Sequence, residues 1–148
     1  MSATRADHTA FGHAWVALTL TLAAHVTDEA LTDFLSVYNP IVTAARERFG
    51  WFPMPTFTFG PWLGGLIALI LLLAALSPHA YRGARGMRIA AVPYGIIMLL
   101  NGFGHLGASA YFGRWMPGTT TAPLLLLTST WLLWNVCRAG VARSRFVV

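Results

Sequence analysis

The sequence predicts an all-α integral membrane bundle of about four transmembrane helices, with a short interfacial helix after the first. Three observations carry that expectation. Of the 148 residues, 56% are hydrophobic and only 10% charged, whereas soluble domains carry about 25% charged residues. Too little polar sequence remains to cover a soluble core. Residues 63–76 form an unbroken apolar stretch, and residues 122–136 carry only Thr, Ser and Asn as polar side chains. With their flanks, these runs approach the ~17–20 residues needed to cross hydrocarbon. Finally, all ten basic residues are arginines, and they gather beside the apolar runs rather than spreading over a surface.

The elements follow in order, as a single domain over residues 1–148. A first span is expected at 11–35. Residues 1–7 carry only Arg5 as a base and no small-residue cleavage site follows, so this span is expected to be retained. Asn39 and Pro40 then look like an N-cap and a first-turn proline. They would start an interfacial helix over 40–49 that Gly50 stops. Residues 51–62 are rich in aromatics and proline, with Trp51, Phe52, Phe57, Phe59 and Trp62 as anchors at headgroup level. Pro61 opens a second span at 61–77 and Pro78 closes it. A third span is expected at 87–111, with Pro93 bending its start. A Pro117-Gly118 turn leads to a fourth span at 121–138.

Charge sets the orientation. Arg82, Arg85 and Arg88 share one loop, and Arg138, Arg143 and Arg145 follow the last span. Arginines in short loops mark the cytoplasmic side. The expectation is therefore a multi-pass cell-membrane protein with both termini cytoplasmic. The net charge of +5 is spent on that pattern, so no nucleic acid is expected as a partner. The lipid bilayer is. The single cysteine, Cys137, rules out an intramolecular disulfide and a cysteine metal site, and is expected to be a small packing residue. A homo-oligomer is compatible with all of this.

The chemistry lies in His25-Val26-Thr27-Asp28-Glu29. At about 100° per residue, Asp28 and Glu29 flank His25 on one helix face. Asp33 sits one turn further, at its edge. Each acid costs roughly 2.5–3.5 kcal/mol near the centre of a spanning helix, so such residues face the bundle interior and find partners. Asn101 and His105, four residues apart, offer one on the third span, with Tyr94 and Phe112 extending the stripe. Rises of ~1.5 Å per residue put His25 ~20 Å and His105 ~27 Å from the inner boundary. Both depths fall in the outer half, so the two histidines and the acids can converge. Gly102, Gly104, Gly107 and Ala108 permit close helix approach. Thr128, Ser129, Thr130 and Asn135 are expected to bond to neighbouring helices.

The His25-x-x-Asp28-Glu29 element, the Asn101-x-x-x-His105 pair and the Tyr111…Pro117-Gly118-Thr119 stretch together resemble the HXXEE-domain membrane proteins. These are short bacterial proteins with several spans. The resemblance runs from helix one to the start of helix four, and departs at Asp28, where the family name has Glu. It implies a membrane fold with a polar site and implies no reaction.

Three readings of the site stay open. His25, Asp28, Glu29 and His105 could bind one divalent metal, Zn, Fe or Mn, with His25, Glu29 and His105 as the leading ligand set. The same catalytic set of His25, Asp28, Glu29 and His105 could work by metal-free acid–base or proton chemistry. Otherwise the cluster fixes helix pairing. Asn101 would orient His105 or an acid, and Tyr94, Asp33 and Tyr111 would line the site. The functions that follow are an enzyme acting on a lipid- or isoprenoid-like small molecule, a metal- or proton-binding transport or sensing subunit, or a scaffold. No P-loop, nucleophile elbow or HExxH element is present.

Overall fold

The structure, a computed structural model, describes the backbone of residues 3–144 and the side chains of residues 5–138. Among these every regular element is helical: α1 (Ala3–Leu31), α2 (Phe34–Phe49), α3 (Phe59–Ala75), α4 (Ser77–Tyr81), α5 (Arg85–Phe112) and α6 (Ala122–Ser144). Arg145 lies outside the described residues.

Three stretches, Arg5–Leu31, Phe59–Tyr81 and Arg85–Phe112, are long and apolar enough to cross a membrane. Their surfaces point the same way. On α3 only Trp62 and Leu73 are buried, while Ile67, Leu69, Leu71 and Leu72 are exposed. Ile89, Ile96, Ile97, Leu100 and Phe103 are likewise exposed on α5. Continuous apolar surface of this kind needs a lipid or protein cover.

The core is organised around α1. Phe11, Trp15, Leu18, Leu22 and Val26 recur every three or four residues, with Ala14 beside Trp15, and all are buried, as a helix with one inward stripe requires. Helix α6 answers with Ala122, Leu125, Ser129 and Leu132 at the same spacing, packing against both α1 and α5. Trp15 Nε1 donates to the Leu73 carbonyl at 2.9 Å, near the break where α3 gives way to α4. Gly95 and Gly102 bring α5 onto α6: a Cβ would lie 2.8 Å from Leu133 Cδ2 at the first and 2.9 Å from Leu126 Cδ2 at the second. Gly104 and Gly107 meet nothing within 4 Å, so the small-residue stripe is only partly a packing device.

Several expectations are corrected. The first helix begins by residue 3 and ends at Leu31, not Leu35. Asp33 takes a left-handed conformation, φ 56° and ψ 51°, which Asp tolerates better than most residues. There the chain turns into α2, which starts at Phe34 rather than residue 40 and runs through Pro40. Asn39 is therefore no N-cap. Its side chain instead brackets Phe57, donating from Nδ2 to the carbonyl at 2.9 Å and accepting the amide at Oδ1 at 3.0 Å. Tyr38 donates to Pro55 O at 2.9 Å, and Arg46 donates to Met54 O. The aromatic and proline-rich segment is thus tied to α2 by side chains. Burial raises the Tyr38 phenol above its ordinary value despite nearby Arg46, so it stays a donor. Gly50 stops α2 as expected, at φ 70° with its amide on Arg46 O at 2.9 Å.

The other boundaries move by a few residues, and α6 extends to Ser144. Cys137 is exposed rather than packed. Thr128, Ser129 and Asn135 each bond to a carbonyl four residues back in their own helix, which satisfies a polar side chain in apolar surroundings without a partner helix.

Candidate metal centre

The inward stripe of α1 continues from Leu22 into His25 and Glu29, the last two four residues apart on the same face. Helix α5 brings in His105. The segment after α5 then folds back over both histidines. Ser109 Oγ holds it there, accepting the Met116 amide at 3.1 Å and meeting Thr119 Oγ1 at 2.5 Å. Gly118 adopts φ +79°, and a Cβ on it would lie 2.7 Å from His105 Cε1 and Nδ1 and 3.0 Å from His25 Cε1. Glycine is needed there for both backbone and space.

His25, Glu29 and His105 are all buried, at 1%, 5% and 8% exposure. Glu29 Oε1 lies 3.5 Å from His25 Nε2 and 3.1 Å from His105 Nε2. The imidazoles meet edge to face with centroids 4.7 Å apart. One ligand atom from each of the three residues falls within 4.8 Å of the others. A tetrahedral ion with bonds of ~2.0–2.1 Å would separate its ligand atoms by about 3.3 Å, between the two observed distances. This group could hold a metal ion.

The far nitrogens of both rings show which tautomers the surroundings favour. His105 Nδ1 lies 2.6 Å from Pro117 O. A carbonyl only accepts, so Nδ1 carries the proton. His25 Nδ1 lies 2.7 Å from Thr121 Oγ1, whose single proton is claimed by Asp28 Oδ2 at 3.0 Å or Gly118 O at 3.3 Å. His25 Nδ1 therefore also donates. In neutral rings each Nε2 is then a lone pair, and both point at one carboxylate oxygen. His25 Nε2 is buried without a hydrogen-bond partner. Three converging lone-pair donors are stable only with a cation or protons among them. Backbone carbonyls and carboxylates on Nδ1–H are the usual outer partners of metal-bound histidine.

Asp28 stands outside the three-residue group. Its Oδ2 accepts from the Thr121 amide at 3.2 Å and from the Thr121 hydroxyl. A carboxylate at the start of α6 also matches the positive end of that helix. Asp28 thus acts on His25 through Thr121. Thr121→Val is expected to weaken metal binding about 10–100-fold, and Thr121→Ser to leave it nearly unchanged. A competitive chelator titration would measure both.

Of the remaining expected residues, Asn101 is close to the centre and three are not. Asn101 and His105 line a cleft of about 350 Å³ whose other walls include Phe34, Val37 and Ile41 of α2 and Pro117. The Phe34 ring lies 5.6 Å from that of His105 and stacks on Trp62 at 5.9 Å. Tyr94 instead packs edge-on against Trp15 at 5.2 Å, ten residues before His25 on α1, or ~15 Å along the axis. Asp33 is exposed at the α1–α2 break. Tyr111 is 84% exposed, against Phe112. Sequence reading missed Thr121 and the Pro117 carbonyl as site groups. A threonine just before an apolar helix gives a faint signal for the first; no side-chain pattern signals the second.

The chain matches none of the protein-family models, curated proteins or solved structures with which it was compared. Those comparisons leave the resemblance to HXXEE-domain proteins untouched in either direction. Fold and site define a helical protein with three candidate membrane helices. More particularly, it carries a buried His25/Glu29/His105 cluster able to hold a metal ion.

Proposed function

We propose that this chain is a four-span membrane metalloprotein that binds one divalent ion through His25, Glu29 and His105 and acts on a lipid- or isoprenoid-like molecule entering sideways from the bilayer. The observation that carries the reading is the convergence of two Nε2 lone pairs on Glu29 Oε1 while each Nδ1 is engaged as a donor. Helix α6, packed on α1 and α5, serves as the fourth span. The arginine pattern supports a cytoplasmic location for both termini.

Electrostatics favours the ion. A divalent cation with Glu29 as ligand and Asp28 two hydrogen bonds out from His25, through Thr121, sums to zero charge, which suits a site inside hydrocarbon. Three protein ligands leave one position open, the arrangement of sites that activate water or polarise an oxygen. The His/His/Glu donor set suits Zn, Fe or Mn. The cleft reaches His105 from between α2 and α5, and its apolar lining suits a chain that arrives from lipid. HXXEE-domain membership remains part of the proposal, because the residues behind the resemblance include those of the centre.

Metal analysis of detergent-purified protein tests the proposal. The wild type is expected to carry about one ion per chain, and His25→Ala and His105→Ala to carry almost none at unchanged helix content. A second reading has a proton in place of the ion, since 3.1 Å between His105 Nε2 and Glu29 Oε1 is also a hydrogen-bond distance. Metal-free wild type after supplementation would select that reading.

A further inference from the structure

From the cleft we infer the headgroup of the molecule it takes: an aliphatic alcohol, with its oxygen on the open metal position and its hydroxyl proton on Asn101. This rests on the metal reading and extends it. Asn101 lies four residues before His105 on α5, on the same face, and both line the cleft. Its Oδ1 is buried with no hydrogen-bond partner among the described residues. An amide oxygen left so is costly, and a hydrogen-bond donor is what it lacks.

The rest of the cleft narrows the class. Phe34, Val37 and Ile41 give it an apolar wall, and at about 350 Å³ it is at the small end of the ~300–1,000 Å³ of small-molecule sites. It admits a headgroup and the first part of one chain, with the remainder left in lipid. No arginine or lysine lines it, so no side-chain cation there would add to the ion in balancing a phosphate. A group is required that both offers a lone pair to a metal and donates a proton to an amide. A hydroxyl does both. An ether or ester oxygen does only the first.

Cobalt(II) in place of the native ion reports its ligands through visible absorption, so the inference is testable without knowing the reaction. Wild-type protein in phosphatidylcholine nanodiscs, loaded with cobalt(II), would be titrated with dodecan-1-ol and with dodecyl methyl ether. The alcohol is expected to shift the spectrum saturably and to bind about tenfold more tightly than the ether, as one hydrogen bond to a buried acceptor warrants. Asn101→Ala and Asn101→Leu are expected to keep one cobalt per chain and to lose that preference. Equal response to alcohol and ether, no response to either, or a preference that survives in variants retaining cobalt would each overturn the inference while the metal site stands. Variants that lose cobalt would leave the wild-type comparison to decide. Failure of the wild type to bind cobalt would overturn the metal reading and the alcohol with it.

Discussion

Glu29→Gln is expected to weaken metal binding about 100-fold or more while leaving the metal-free protein as stable as the wild type. The two halves of that result have separate causes. Glu29 is the only charged ligand of the three, and a binding energy of ~10–16 kcal/mol over four ligands gives each roughly 2.5–4 kcal/mol. Its loss should therefore weaken binding by at least about 100-fold. In the metal-free protein, however, a glutamine amide can donate to the Nε2 lone pairs that otherwise face a carboxylate at 3.1 and 3.5 Å. The substitution then costs nothing and can stabilise. Were the cluster instead a buried ion pair between Glu29 and protonated histidine, removing one charge would cost about 3–5 kcal/mol. Chelator-treated protein melted in detergent, beside metal content, separates the cases. A large fall in metal-free stability would count against the metal centre.

Gly118→Ala is expected to weaken metal binding about 100-fold, through the two histidines it supports. Two effects combine in this substitution. Gly118 is left-handed, at φ +79°, where an alanine costs roughly 1–2 kcal/mol. Its new Cβ would also overlap the His105 ring at 2.7 Å and crowd His25 Cε1 at 3.0 Å. Gly113→Ala isolates the first effect, because Gly113 has φ +61° with nothing within 4 Å of a Cβ. Both variants should lose similar backbone stability, and only Gly118→Ala should lose the metal. Equal metal affinity in the two variants would show that the turn over the histidines does not shape the centre.

Much of this molecule is written in its hydrophobic pattern. The apolar run at residues 63–76 cannot be hidden in a core this small, and α3 leaves most of it exposed. His25, Glu29 and His105 were recognisable because ionisable residues in apolar helices are costly and must meet. Depth along two helices was enough to say that they could. The break at Asp33 was not legible, since no glycine or proline marks it and Asp is only one of several residues that tolerate a left-handed turn. Asn39-Pro40 was misread for a related reason. An Asn before a proline is an N-cap only if the preceding chain is not already helical, and Asn39 is instead held by Phe57, 18 residues away.

Composition and periodicity by themselves determined the helical class, the apolar surfaces and the set of His25, Asp28, Glu29 and His105 from which an ion's ligands could come, because these depend on one residue's chemistry and its spacing along one helix. Only the tertiary structure decided that Asp28 works through Thr121 rather than joining the centre, that Tyr94 and Tyr111 lie away from it, and that the 117–121 turn holds both rings. Those outcomes depend on which side chains meet across segments distant in the chain. Asp28 and Thr121 are 93 positions apart. A backbone carbonyl such as that of Pro117 is moreover chemically the same at every residue, so only the fold can select it as the partner of His105.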